Sequence, residues 1–356
     1  MGPMSPEKTI GFGIVGCGAI GRVHAAAIRS LPGARLVAVT GGPEAPARAQ
    51  EWQCEFEADV QSLAGRADID VVDICTPSGT RAEIVEIVAA AGKHVIVEKP
   101  IDVTLARADR VIEACRRAGV LLGCIFQARF NRTYRLVRDA VQRGRLGRPV
   151  MASAAVKWYR SQDYYAGAGE WRGTKQIGGG GALINQAIHS VDLLRWVMGE
   201  VERVSAFTAT LARQIEVEDT AVVILRFGNG ALGTIEATTA AYPGMPRRLE
   251  LHGPKGSIVV VGDEITEWTM EEMRQEDYEI RASLEKRALS REGVADPTLT
   301  DISLHRAQLE DFVEAVRQGR PPAVDGMEGR KALELVVAAY RSAEAGGHPV
   351  VLPLTN

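Results

Sequence analysis

The chemistry of this chain opens with a glycine pattern, Gly16-Cys17-Gly18-Ala19-Ile20-Gly21, a G-x-G-x-x-G. In such a turn the first glycine permits a tight bend. The second lets a pyrophosphate approach the backbone, and the third lets helix and strand pack closely. The pyrophosphate rests on a helix N-terminus, where free N–H groups and the dipole favour an anion. Gly16, Gly18, Ala19, Ile20 and Gly21 are therefore candidate dinucleotide contacts. The hexapeptide alone is weak evidence. Its context strengthens it, because it follows the apolar run Ile10–Val15 and opens the helical pattern Ile20–Ser30. An acidic residue is expected roughly 20 residues further on, to hold the ribose 2′-hydroxyl of NAD. The second strand instead ends Val39-Thr40-Gly41-Gly42-Pro43. Without a carboxylate there, nothing at that position repels a 2′-phosphate. Glu44 is the alternative ribose ligand, Arg48 is the nearest cation, and Gly41 joins the candidate cofactor contacts. NAD and NADP both stay open.

The elements that must position these residues follow from hydrophobic periodicity. Ile10–Val15, Arg35–Val39, Val71–Cys75, His94–Val97 and Leu121–Ile125 read as strands buried on both faces. Between them Ile20–Ser30, Ala45–Trp52, Arg81–Ala91 and Leu105–Ala118 read as helices, and the alternation predicts a parallel, doubly wound sheet. Tyr134–Arg143 reads as another helix, and Gly144–Pro149 as a boundary. The second part reads differently. One long helix, Ala182–Met198, precedes the strands Val204–Leu211, Thr220–Phe227, Leu232–Thr239, Arg248–His252 and Ser257–Val261, a run that predicts an antiparallel sheet. Glu271–Asp296 is charge-rich and reads as a peripheral insertion or solvated helix. The helices Leu304–Gln318 and Met327–Ala345 follow, broken by Arg320-Pro321-Pro322.

Composition excludes several classes of function. The 356 residues suggest two domains. A net charge of −3 leaves no electrostatic footprint for nucleic acid or a membrane surface. The five cysteines are odd in number, widely spaced and without C-x-x-C, so neither a disulfide framework nor a zinc site is expected. The six histidines, at 24, 94, 189, 252, 305 and 348, show no ligand spacing, so no metal is expected. No secretory signal or membrane-spanning run is read, and a cytoplasmic setting is expected.

Further motifs carry a family resemblance. With the glycine turn, Thr76-Pro77, Ala91-Gly92-Lys93-His94 and Glu98-Lys99-Pro100, the chain resembles the Gfo/Idh/MocA oxidoreductases, the glucose–fructose oxidoreductase and inositol dehydrogenase family. Gly179-Gly180-Gly181 through His189 to Asp192-Leu193 is similar to the family's Gly-rich approach to its catalytic helix. The ending, from Asp325-Gly326 through Lys331-Ala332-Leu333 to Val350-Val351-Leu352-Pro353, also matches. The resemblance implies an α/β Rossmann domain over 1–127. An α+β C-terminal domain with a large, mostly antiparallel open sheet follows over 128–356, and its last helices pack back on the Rossmann domain. It implies NAD or NADP as cofactor, a sugar-like small-molecule substrate, and a homodimer or homotetramer formed through the C-terminal sheet.

Site residues come over by motif. Thr76, Pro77 and Glu98 join the cofactor contacts. Lys99 matches the family's catalytic lysine and doubles as a cofactor and substrate contact, because a cation beside the substrate hydroxyl favours alkoxide character. In the family the following proline sits after a cis peptide, a tight-turn device. His189 matches the catalytic histidine, an imidazole able to accept the hydroxyl proton. Asn185, four residues earlier on the same helical face, replaces the aspartate of several relatives and either orients His189 or binds substrate. Asp192 orients the ring or the helix. Lys157–Arg160, Tyr164-Tyr165 and Trp171-Arg172 are read as substrate-facing, with Tyr159, Trp171 and Arg172 as contacts. Aromatic faces suit sugar C–H surfaces, and arginines suit an anionic group. Arg129 and Asn131 are placed similarly, whereas Arg81 receives no role.

These residues imply a dehydrogenase or ketoreductase that moves hydride between nicotinamide and a ring hydroxyl of a sugar or sugar derivative. The run Asn185-Gln186-x-x-His189 resembles family members that act on sugars or sugar nucleotides at C3. A redox-neutral, NAD-dependent glycosidase would need the same residues. A non-catalytic dinucleotide-binding sensor would be expected to lack Lys99 or His189.

Overall fold

In the computed structural model, residues 8–289 and 302–354 are described. Among them the N-terminal third runs β1 (Ile10–Val15), α1 (Ala19–Arg29), β2 (Ala34–Thr40), α2 (Ala45–Trp52), β3 (Glu55–Phe56), α3 (Val60–Gly65), β4 (Val71–Ile74), α4 (Arg81–Ala90), β5 (His94–Val97), α5 (Leu105–Ala118) and β6 (Leu122–Cys124). Then come α6 (Arg132–Gln142), β7 (Met151–Lys157), the single turn α7 (Lys175–Gly178), a π-helix over Ala182–Ala187 and α8 (Ile188–Met198). The strands β8 (Val201–Ala209), β9 (Thr220–Phe227), β10 (Leu232–Thr238), β11 (Arg248–Gly253), β12 (Gly256–Val261) and β13 (Glu264–Met270) follow without an intervening helix. The helices α9 (Gln275–Leu289), α10 (Ser303–Gln318) and α11 (Gly326–Glu344), then β14 (Val350–Val351), complete the chain.

The chain divides into two compact units, Met1–Gln127 with Thr300–Lys331 and Ala128–Leu299 with Ala332–Asn356. In the first, six parallel strands stand in the order β3-β2-β1-β4-β5-β6. The order reverses between β1 and β4, and ligands of such sheets bind outside the strand C-termini at that switch point. Every residue of β1 is buried, as a strand covered on both faces requires. Helix α10 belongs to this unit. Its Leu309, Phe312 and Val313 enter the core with Ile14, Ile28 and Ile125. Gln308 on the same helix continues the sheet past its edge, accepting from the Phe126 N–H (3.0 Å) and donating to the Cys124 carbonyl (2.8 Å).

The second unit holds an open eight-stranded sheet, β13-β12-β11-β7-β10-β9-β8-β14. Every pairing is antiparallel except β7 with β10. One face of β9 is buried through Ala221, Val223, Leu225 and Phe227, and the other exposes Val222 and Ile224.

Several expectations need correction. The expected single helix Ala182–Met198 begins as a π-helix and becomes α only at Ile188. The strands β3, β7, β13 and β14 and the helix α3 were not anticipated. Gly144–Pro149 lies inside the second unit, between α6 and β7, so it is no boundary. The Glu271–Asp296 segment is not a purely solvated run. Asp277 in α9 is fully buried, accepting from Trp268 Nε1 (2.8 Å) and the Arg274 N–H (2.7 Å) and pairing with Arg145. Residues 290–296 of that segment lie outside the described residues.

Candidate active site

In the first unit the glycine turn runs from the C-terminal end of β1 into α1. Gly16 has φ +105°, and a Cβ there would lie 2.8 Å from the Cys75 backbone. A Cβ on Gly21 would lie 2.2 Å from the Gly16 carbonyl oxygen. A Cβ on Gly18 would meet nothing within 4 Å, so this position faces open space. Gly18 caps α1 without a side-chain hydrogen bond, and the first turn carries no acidic residue. Exposed Ala19 and half-buried Ile20 begin the helix. An uncapped helix start beside open space fits the pyrophosphate of a dinucleotide. Gly41, at φ +89°, closes against the Gly16 backbone. Next to it, Arg48 pairs with Glu44 (3.0 Å) and Glu51, so the nearest cation is already committed to two carboxylates.

The Glu98-Lys99-Pro100 turn follows β5, and its Lys99–Pro100 bond is cis. From Val95 to Pro100 only Lys99 is not buried. The Glu98 carboxylate is buried. One oxygen accepts the Lys99 N–H (2.9 Å), and the other lies 3.0 Å from His24 Nε2. Arg81, for which no role was expected, opens α4 as a buried clamp. It donates to the Thr76 carbonyl (2.9 Å from Nη2, 3.3 Å from Nε) and, from Nη1, to the carbonyls of Glu98 and Pro100. One guanidinium thereby fixes the Thr76-Pro77 turn and both sides of Lys99. No local signal marks an arginine for such burial, because its acceptors come from separate loops. Similarly, linear spacing conceals two buried groups of donor type suited to a cation, His24 with Glu98 and His305, and His24 with Asp73 and Cys75. The His24–Asp73 and His24–Glu98 contacts are at hydrogen-bond distance and assign protons to these gaps.

In the second unit the Gly-rich segment is shaped by close approach. A Cβ on Gly181 would sit 1.7 Å from the Glu218 carbonyl oxygen, and one on Gly180 would sit 2.2 Å from the Tyr340 hydroxyl. Glu218 is buried and accepts from the Gly181 N–H (2.8 Å), the Leu183 N–H (2.9 Å) and the Tyr340 hydroxyl (2.8 Å). It caps the π-helix from the strand side, and sequence reading missed it. Burial raises its carboxyl above the usual value against the opposing pull of those donors. Between Gly181 and Ser190 only Asn185, Gln186 and His189 are not buried. The wider turn of the π segment alters the simple four-residue face expected for Asn185 and His189, and π turns concentrate at functional sites. Asn185 is tied back by donating to the Gly180 carbonyl (2.6 Å).

Gln186 leads into an aromatic and basic cluster. It donates to the Tyr164 hydroxyl (2.8 Å) and accepts from Arg160 (3.2 Å). The Arg160 guanidinium lies over Trp158 and Tyr164, and that of Arg172 over Tyr164 and Trp171, all within 5.3 Å of the ring centroids. Among the described residues neither Arg160 nor Arg172 forms an ion pair with a carboxylate. Tyr159 stands apart, edge-on to Tyr242 and under Arg213.

Arg129 and Asn131 are corrected. Arg129 is buried and its fork is committed to Asp192, 2.7 Å away from Nε and bonded again through Nη2. Asp192 is thus the partner of the Arg129 guanidinium. Asn131 caps α6 by accepting the Thr133 N–H (2.8 Å). The Arg129 guanidinium thus lies in the core, and the Asn131 side-chain oxygen is taken up at the helix start.

Comparison with known proteins agrees with this arrangement. Residues 10–126 match the profile described as an oxidoreductase family with NAD-binding Rossmann fold, and residues 134–259 match the GFO/IDH/MocA C-terminal domain. The myo-inositol 2-dehydrogenase of Thermotoga maritima is 32% identical, covering 94% of this chain and 96% of its own. The inositol 2-dehydrogenase of Rhizobium meliloti is also 32% identical, covering 94% and 97%. The WlbA dehydrogenase of Bordetella pertussis, solved with NADH and UDP-GlcNAcA, is 36% identical with a TM-score of 0.87, covering 98% of this chain and 100% of its own. No helix among the described residues is long and apolar enough to cross a membrane. The chain belongs to the GFO/IDH/MocA family of NAD-binding oxidoreductases.

Proposed function

We propose that the protein oxidises a secondary ring hydroxyl of an anionic sugar or sugar derivative, using NAD, with Lys99 and His189 as the reacting side chains. The observation that carries the anionic substrate is the pair Arg160 and Arg172 around Tyr164, two guanidiniums without carboxylate partners beside Gln186. UDP-GlcNAcA, bound by the Bordetella relative, has that chemistry. Lys99 stabilises negative charge on the hydroxyl oxygen, and His189 accepts its proton. Asn185 contributes no charge and keeps the approach to His189 neutral. A dinucleotide held on the Gly16–Gly21 turn supplies the hydride acceptor. Arg48, bound to Glu44 and Glu51, favours a coenzyme without the 2′-phosphate.

The remaining assignments belong to the same reading. The chain works in the cytoplasm as a homo-oligomer. Its chains meet through the sheet face that exposes Met151, Phe207, Val222, Ile224 and Leu232.

The test is nicotinamide absorbance with NAD or NADP against uronates, nucleotide sugars, neutral sugars, inositols and glycosides. NAD reduction with an anionic sugar is expected, and R172A should raise KM for that substrate about 10-fold by removing one charge-assisted contact. Equal turnover of neutral inositols with no effect of R172A would overturn the anionic substrate. A flat trace with aglycone release would overturn the dehydrogenase reading.

A further inference from the structure

His24 lies on α1, behind the site and fully buried. Its Nδ1 is 2.6 Å from Asp73 Oδ2 on β4, and its Nε2 is 3.0 Å from Glu98 Oε1 beyond β5. Glu98 passes the contact on, since its second oxygen accepts the Lys99 N–H (2.9 Å). A carboxylate only accepts, so a ring between two carboxylates satisfies both only by donating from both nitrogens. Other groups surround the ring. Cys75, just after β4, lies 3.8 Å from Asp73 Oδ1. His305 on α10 meets His24 edge-on at 5.2 Å between centroids, with its Nε2 3.9 Å from Glu98. Arg81 on α4 holds the Glu98 carbonyl. Taken as ionised, Asp73 and Glu98 are balanced by His24 and Arg81, the condition under which buried charge is tolerated.

We propose that His24 is a positioning residue for Lys99: its ring, donating from both nitrogens, ties Asp73 to Glu98, and Glu98 holds the backbone turn that presents the lysine. The proposal rests on Lys99 acting as assigned above. Burial alone would discharge the ring, but the charge and hydrogen bond of Asp73 outweigh it and hold His24 well above its ordinary value. That direction favours the doubly protonated ring that the geometry requires. The same ring also joins the helix that begins at the glycine turn to the turn that carries Lys99. Two elements on either side of the switch point are thereby fixed to each other through one side chain.

Asparagine and glutamine separate this role from mere filling of the core. The Asn amide nitrogen falls near Nδ1 and keeps the donor to Asp73. The Gln amide nitrogen falls near Nε2 and keeps the donor to Glu98. H24Q should retain kcat within about 5-fold, whereas H24N should lose about 30-fold or more, a loss of the size caused by small misplacement of a reacting group. Both should bind NADH within about 3-fold of the parent, because no nicotinamide contact is removed. Equal turnover in the two variants, whether high or low, would overturn the proposal. If H24N does not fold, E98Q and E98A repeat the comparison. E98Q keeps an acceptor for the Lys99 N–H and should remain within about 10-fold, and E98A should lose about 100-fold. E98A turning over like E98Q would overturn it.

A second readout needs no substrate. Proton NMR of the parent at pH 8 should show two exchange-protected ring N–H signals that vanish in H24Q. A single ring signal, or one tightly held divalent metal per chain by elemental analysis, would overturn the proposal. Should no sugar be oxidised while both ring signals are present, the functional reading fails separately.

Discussion

Replacing Arg81 tests how the reactive turn is held. The side chain is buried, and burial lowers its pKa, yet a guanidinium stays charged in any protein. It donates to three carbonyls, those of Thr76, Glu98 and Pro100. A hydrogen bond from a charged donor contributes about 1.5–3 kcal/mol net. R81M leaves three buried acceptors unpaired and removes a cation beside Glu98, so a loss of about 4–5 kcal/mol is expected, the range for breaking a buried charged pair from one side. At about 2–4 °C per kcal/mol for a unit of this size, the melting temperature should fall by about 10 °C or more. R81K keeps the charge but not the fork. It should lose about half as much, because a point donor reaches fewer of the carbonyls. Calorimetry gives the first number, and kcat at saturating coenzyme gives the second, which should fall about 100-fold in R81M as the Lys99 turn relaxes. The reasoning is refuted if R81M melts within about 2 °C of the parent. It is refuted equally if R81M melts early but turns over normally below its transition, since the clamp would then hold the fold and not the site.

Other residues give separable outcomes. R129M should cost about 3–5 kcal/mol by stranding Asp192 in the core, measured by urea unfolding, with NADH affinity unchanged because the pair lies in the second unit. E218A removes the acceptor of two backbone N–H groups and the Tyr340 hydroxyl. It should cost about 3 kcal/mol, and it should lower kcat more than it raises KM, because the π-helix leading to His189 loses its cap. Burial would raise the Glu98 carboxyl, but the bond from His24 and its charge hold it well below 4.5, so its stabilisation is present above pH 4.5 and lost as pH falls further. A plot of melting temperature against pH should drop on the acid side for the parent and flatten in E98Q. His24 has the opposite sign. Its folded value lies above 6.5, so its contribution is full below pH 6.5 and lost as pH rises through the elevated value, an alkaline decline that H24Q should remove.

What could be read from sequence was what is local in sequence. The glycine turn, the Glu98-Lys99-Pro100 motif and five of the six strands of the first sheet are each contiguous, and each appears where expected, whereas the two-residue β3 was missed. Clamps built from distant segments were not legible. Arg129 looked like a substrate ligand because its partner lies 63 residues away, and an arginine without a visible partner is read as available. Arg81 and His24 were invisible for the same reason. The π-helix was hidden because Ala182–Met198 is apolar almost all round, so periodicity does not report its pitch. Strand β7 was missed because Met-Ala-Ser-Ala-Ala-Val-Lys is poor in β-branched residues. Its small buried side chains, Ala152 and Ala154, suit a central strand against which α8 packs.

On the functional reading proposed above, the two reacting side chains are supported by the same device with opposite electrostatics. Behind Lys99 stands Glu98, and behind the segment leading to His189 stands Glu218. Each is a buried carboxylate accepting backbone N–H groups. Glu98 faces His24, Lys99 and His305, and its carboxyl is held low despite burial. Glu218 faces only N–H and O–H dipoles, and burial wins, so its carboxyl is raised. Dipoles can orient a backbone without fixing the charge of the group that receives them, whereas a cation fixes both. On that reading the lysine turn, which works through a positive charge, is set within a group of full charges. The segment leading to the histidine is capped through dipoles, so its support carries no charge that must titrate with the ring.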